Sequence, residues 1–227
     1  MLKIDGREVA DNGAISEKFS KFFATSGHFG HEVDINSMSV PRASSQFRME
    51  EIDENLALDL LLGLNIRKTT GGDGVSARLL KTTAPAVAKS LTYLFNCSLR
   101  TGKIPQEWKA AIVTPVPKKG RKEDGNSYRP VSVLPVIAKV FEAVVHRQLY
   151  QYLEENQLLD SAQSGFPPMH SSLDVLLKTT DDWRRALDRN KRVGAVFIDL
   201  SKAFDSIDHE LLLCKLDKYR VQGNELQ

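Results

Sequence analysis

Apolar residues recur at helical spacing along most of this chain, broken by a central stretch whose apolar positions run at strand-like lengths. Over 14–25, Ile15, Phe19, Phe22 and Phe23 share one face and predict an amphipathic helix. Residues 27–49 mix Gly, Ser, Pro and His with isolated apolars and read as a linker. Helices are predicted from about Glu51 to Leu64 and from about Ala86 to Arg100, with Gly102 as the residue that closes the second. Trp108 to Val116 and Tyr128 to Val133 then read as two strands joined by a polar loop, a projecting ribbon. Residues 135–155 carry a long apolar stripe through Ile137, Val140, Phe141, Val144, Val145, Leu149 and Tyr152, which predicts a helix facing a core. A helix capped by Ser171 or Ser172 runs to about Asp188. It leads to a β-branched strand ending at Asp199 and a last helix, Glu210 to Tyr219, capped by Asp208.

Composition narrows the class. With 227 residues, 41% hydrophobic and 26% charged, the chain can bury a substantial core. The net charge is only +2, so no global basic field marks a polyanion partner. The charge is unevenly spread: residues 1–60 have an acidic excess, whereas Lys103, Lys109, Lys118, Lys119, Arg121 and Lys122 face a lone Glu107 over 103–122. Cys97 and Cys214 are far apart, which argues against a disulfide framework or a structural zinc. With no membrane-length apolar run and no signal-peptide pattern, the chain reads as reduced and intracellular, nucleus or cytoplasm unresolved.

Candidate chemistry concentrates late in the chain. Val193 to Asp199 delivers a carboxylate at the end of an apolar run, and Ser201-Lys202-Ala203-Phe204-Asp205 follows as a turn with a second carboxylate. An Asp at the rim of a sheet suits a hard-oxygen metal ligand, and equally suits a helix cap. The lysines of the ribbon loop and Arg129 suit phosphate oxygens, and equally an exposed hairpin tip. Gly71-Gly72-Asp73-Gly74 is a turn and not a phosphate cradle, since no Gly-Lys-Ser/Thr follows it. His28 and His31 lack a third ligand and read as solvated loop residues.

Several blocks in order resemble the reverse transcriptase domain of LINE-type (non-LTR, jockey/CR1-like) retrotransposons. They are Gly72 to Lys81, Gly102-Lys103-Ile104-Pro105-Gln106-Glu107-Trp108-Lys109, Pro115 to Gly120, Asn126 to Leu134, Gln163-Ser164-Gly165-Phe166 and Phe197 to Asp205. The resemblance covers residue 50 to the C-terminus. It implies an α+β chain with a right-hand polymerase fold, of which the fingers and the first part of the palm are present. An N-terminal helix and linker over 1–50 and a helical region over 51–110 would precede the reverse transcriptase domain at 111–227.

The same resemblance implies roles. Asp199 would be the first catalytic aspartate and a ligand to two Mg²⁺ ions, with the Leu200 carbonyl beside it. Phe204 would exclude the ribose 2′-hydroxyl and so favour deoxynucleoside triphosphates. Lys118 or Lys119, with Arg129, would grip the triphosphate, and Gln163, Gly165 and Phe166 would lie near the template. The implied activity is RNA-directed DNA synthesis, extending a DNA primer on an RNA template.

The chain departs from the family in two respects. Pro167-Pro168 follows Gly-Phe where the family commonly has Arg, which puts template grip in doubt. The later Tyr/Phe-x-Asp-Asp block is absent, and Asp181-Asp182 falls in a predicted helix and cannot replace it. The expectation is therefore a truncated polymerase, inactive alone. A non-catalytic nucleic-acid-binding module and a non-functional transposon remnant are the competing readings, and the strand ending at Asp199 is expected to lack its sheet neighbours.

Overall fold

The computed structural model describes residues 11–24, 43–118, 127–165, 171–200, 203, 204 and 206–226, with the backbone of 2–4 and 7–9. Its elements in order are β1 (Leu2–Ile4), β2 (Arg7–Val9), α1 (Asn12–Ala24), α2 (Glu54–Leu62), α3 (Ala77–Thr82) and α4 (Ala84–Thr101). There follow α5 (Gln106–Lys109), β3 (Ile112–Pro117), β4 (Tyr128–Val133), α6 (Val136–Glu155), α7 (Ser172–Asp188), α8 (His209–Lys218) and a 3-10 turn (Gly223–Leu226). β1 pairs with β2 and β3 with β4, both antiparallel. The chain is α+β, dominated by helices.

The helix boundaries follow from capping chemistry. Asp53, Ser76 and Asp208 each accept the backbone N–H three residues on, from Leu56, Leu79 and Leu211. Ser171 and Asp174 form a reciprocal capping box at the start of α7, which resolves the choice between Ser171 and Ser172. Gly102 closes α4 at φ 67°, a left-handed conformation that glycine adopts without a side-chain penalty.

The main core joins α2, α3, α4 and α6. Ala57, Leu61, Ala84 and Phe95 have no exposed surface, and Ala88 and Val144 are nearly as deep. Three rings lock it: Phe95, Trp108 and Phe141 stand with centroids 5.5–5.6 Å apart, pairwise. A second cluster gathers Ala43, Phe47, Tyr152, Leu158, Tyr219 and Val221. Phe47 forms a parallel bridge with Val221, and the Tyr152 hydroxyl hydrogen is shared between the carbonyls of Ser45 (2.7 Å) and Tyr219 (2.6 Å).

Between the clusters, residues 47–52 are laced down by side-chain amides acting as a substitute strand. Gln148 accepts from Glu50 N–H and donates to Glu50 C=O, at 2.8 and 3.0 Å. Asn96 does the same to Ile52, at 2.8 and 2.9 Å. Each amide satisfies one backbone donor and one acceptor of this segment, the Asn96 pair partly buried and the Gln148 pair exposed.

Four expectations need correction. Residues 43–49 are not linker: Ala43 and Phe47 are buried because Phe47 fills the second cluster. Residues 25–42, including His28 and His31, lie outside the described residues. Trp108 does not begin a strand. It sits in α5, where the Phe95–Phe141 rings hold it, and β3 starts at Ile112. The α2 helix is shorter than predicted, because the capping carboxylate is Asp53 and Gly63 ends it. Residues 193–199 belong to no strand, since no described segment pairs with them. The β1–β2 hairpin is absent from the expectations above, although Leu2-Lys3-Ile4 alternates and Asp5-Gly6 is a two-residue hairpin signal in the sequence.

Gly71 is buried where the Gly-rich turn meets the β4–α6 junction. A Cβ there would stand 2.6 Å from the backbone N and Cα of Pro135. Gly71→Ala is expected to cost about 1–3 kcal/mol through forced backbone displacement. Gly165→Ala, with nothing within 4 Å, should stay within about 0.5 kcal/mol. Urea unfolding of both variants checks this, and equal effects would refute the close-approach argument. Tyr152→Phe should cost about 1–2 kcal/mol by leaving two carbonyls without their donor. Burial raises the Tyr152 phenol above its ordinary value of 10.0, so the folded state holds that proton more tightly than the unfolded chain. Its stabilisation is intact below that value and is lost as pH rises through the folded value. Denaturant midpoints taken on the alkaline side should therefore fall less steeply in the Phe variant.

Candidate nucleotide site

The β3–β4 ribbon pairs Ile112 with Val133 at its base and Pro117 with Tyr128 at its far end. Lys118 N–H donates to Ser127 C=O at 2.7 Å, which fixes the phase of the ladder. By the antiparallel alternation, Val116–Arg129, Thr114–Val131 and Ile112–Val133 are the bonded pairs. Pro115, Pro117 and Pro130 all fall on the non-bonded pairs, where a missing N–H removes nothing from the ladder. This is why a segment with three prolines still forms two strands. The pleat places Lys118 and Arg129 on one face of the ribbon end and Tyr128 on the other.

A cleft of about 1570 Å³ opens between α1, the ribbon and the segment leading into α8. Lys118 and Arg129 line it, as do Phe204 and, on α1, Phe19, Phe22 and Phe23. Three of the residues singled out from sequence are thus brought together. The cleft exceeds the roughly 300–1,000 Å³ of a usual small-molecule pocket and is widely open to solvent. Asp208 and Glu210 also line it, but the Asp208 carboxylate is engaged in capping α8.

Asp199 is not among the residues lining this cleft. It follows Val196, Phe197 and Ile198, whose exposures of 88, 87 and 84% are those of side chains packed against nothing described. Leu200 is likewise exposed. Among the described residues no three His, Cys, Asp or Glu side chains gather closely enough to hold a metal ion. Asp199 is one hard-oxygen donor, and the described residues do not fit a two-ion site. Gln163 and Gly165 lie in the loop after α6, where Gln163 Nε2 donates to the Gly165 carbonyl at 3.2 Å. They do not line the cleft, and Lys119 and Phe166 lie outside the described residues.

Sequence reasoning missed the α1 wall. The spacing of Phe19, Phe22 and Phe23 announced a helix, but nothing in it named the ribbon as its partner. Phe19 meets Tyr128 edge-on at 4.9 Å and stacks with Phe23 at 5.5 Å. Asn96, which fits a glycosylation sequon, has its amide bonded to Ile52 on both sides. No helix among the described residues is long and apolar enough to cross a membrane.

Cations on a ribbon end, with aromatic side chains across one cleft, define a site suited to phosphate-bearing ligands. Residues 116–226 match the family model described as reverse transcriptase (RNA-dependent DNA polymerase). The chain is 30% identical over 232 residues to the probable RNA-directed DNA polymerase from transposon BS of Drosophila melanogaster, covering 96% of this chain and 25% of the relative. It is 27% identical to the RNA-directed DNA polymerase from mobile element jockey of the same species, over 78% of this chain and 19% of the relative. It is 26% identical to the Pol polyprotein from type-1 retrotransposable element R1 of Bradysia coprophila, over 99% and 22%. The chain belongs to the reverse transcriptase family, among the polymerases of non-LTR retrotransposons. It spans about a quarter of the length of these relatives or less.

The exposure of 193–200 has a direct consequence. Ile198→Ser is expected to change the stability of this chain by less than about 0.5 kcal/mol, as at any exposed site. A buried core strand would lose several times more. Chemical denaturation distinguishes the two, and a loss above about 2 kcal/mol would show that the segment is packed after all.

Proposed function

We propose that this chain is the fingers and the beginning of the palm of an RNA-directed DNA polymerase of a non-LTR retrotransposon. In this reading residues 1–50 precede the polymerase as a helix and linker, 51–110 support the fingers, and 111–227 begin the reverse transcriptase domain. The observation that carries the reading is the convergence of Lys118, Arg129 and Phe204 on one cleft, inside the segment that matches the family.

Arg129 presents a planar fork to phosphate oxygens, and Lys118, or Lys119 beside it, a mobile point charge; together they grip an incoming deoxynucleoside triphosphate. Phe204 stands against the sugar and discriminates against a 2′-hydroxyl by volume. Gln163, Gly165 and Phe166 lie along the RNA template, and the DNA primer approaches from the Asp199 side. Reverse transcriptases use divalent metal ions. Asp199 and the Leu200 carbonyl would supply oxygens to a pair of Mg²⁺ ions in the complete enzyme, which needs further carboxylates than the described residues bring together. By itself the chain holds nucleotide and nucleic acid without joining them.

In the full polymerase read in frame from the source transcript, Asp199→Ala should reduce primer extension by at least about 1,000-fold, the equivalent of several kcal/mol of lost metal stabilisation. Lys118→Ala should raise KM for the deoxynucleotide about tenfold through one lost charge-assisted hydrogen bond, with a smaller change in kcat. Phe204→Ala should admit ribonucleotides. Undiminished extension by the Asp199 variant would sink the metal-ligand assignment.

A further inference from the structure

We propose that α1 is a strut that positions the cation-bearing end of the β3–β4 ribbon, with Phe19 as its positioning residue. The proposal gives a role to part of 1–50, and it rests on the reading of Lys118 and Arg129 as the phosphate grip.

A two-stranded ribbon is marginal in water without something packed against it. This one is six residues long, so its far end stands about 17 Å from its base at roughly 3.4 Å per residue step. The base is well held. Ile112 lies over Gly72, its side chain 3.6 Å from where a Cβ would stand, and β4 runs through Leu134 and Pro135 directly into α6. None of these contacts reaches the far end. There, Tyr128 takes the edge-to-face contact from Phe19, the one buried residue of α1, at 7% exposure.

Tyr128 and Pro117 are the last paired residues, and the next on each strand outward or inward are Lys118 and Arg129. The pleat sets Tyr128 on the strand face opposite Lys118 and Arg129, and Phe19 meets it at the edge of the cleft that the cations also line. Phe19 acts on the cations through the backbone they share with Tyr128. Phe23 stacks on Phe19 and Phe22 meets Phe23 edge-on, so the brace is a small aromatic cluster and not a single ring. Phe19 lies outside both buried clusters, so weakening it leaves the main core untouched.

Hydrogen exchange on the full chain tests the brace. In Phe19→Ala, the amides of Val116, Lys118 and Arg129 should exchange at least about tenfold faster, the scale of one aromatic pair with its buried area. Those of Ile112 and Val133 at the base, and of Phe95 and Phe141 in the core, should change less than about twofold. Phe19→Leu, which keeps an apolar contact, should give a smaller rise at the same far-end amides. Unchanged exchange at the far end, or an equal rise in the core, overturns the strut.

Binding of dATP then reports on the cations. Phe19→Ala and Lys118→Ala should each weaken it, and the double variant should be clearly less than additive, since one residue acts through the other. Full additivity overturns the positioning role. If the unsubstituted chain fails to bind dATP, the phosphate-grip reading fails, while the exchange pattern still decides whether α1 holds the ribbon.

Discussion

The contact among Phe95, Trp108 and Phe141 holds the polymerase segment to its support. Trp108 lies four residues before β3 and Phe141 eight residues after β4, while Phe95 comes from the middle of α4. The three rings therefore clamp both roots of the ribbon to one helix of the core. Everything that the ribbon carries, Lys118 and Arg129 included, inherits its placement from that clamp. The glycine turn adds a second constraint at the same place, because the close approach of Gly71 to Pro135 sets how deeply the β4–α6 junction can seat. Three aromatics and one absent side chain thus fix the base of a structure whose far end carries Lys118 and Arg129.

The longer helices were largely legible because they declared their ends as well as a face, whereas the short α3 and α5 were not read and α2 stops short of its expected bounds. Ser171 with Asp174, Asp208, and Gly102 after α4 are local signals that act before any tertiary contact forms. The ribbon was legible too, since Tyr128 to Val133 matches the strand observed. What could not be read is what depends on partners distant in sequence. Phe47 looked like an isolated apolar residue in a loop because its partners, Tyr152 and Val221, are more than a hundred positions away. Trp108 looked like the start of a strand because its neighbours are apolar, and only the rings of α4 and α6 make it helical.

The same reasoning explains how far the site could be read. Lys118, Arg129 and Phe204 were found by their match to a family pattern, and their meeting in one cleft is a tertiary fact that the pattern carries implicitly. Asp199 was found the same way, yet the strand expected to deliver it is unformed here. A strand is a property of two chains of hydrogen-bonding groups, and the apolar run from Val193 supplies only one of them. α1 shows the reverse case: its periodicity was plain and its purpose was not.

The prolines of the ribbon act on more than its own ladder. Residues at non-bonded pairs turn their backbone groups outward, so Pro115, Pro117 and Pro130 stand where the two outer edges would offer donors to a third strand. At those three positions the edges offer no donor to another chain, a protection that natural sheets commonly build from proline and charge. The outer edges of the ribbon therefore present fewer donors to a second copy of the chain. The exposed apolar stretch through Val196, Phe197 and Ile198 has no proline, and its nearest charge is Asp199 at its end. That stretch is thus a more open surface for self-association than the proline-bearing ribbon edges.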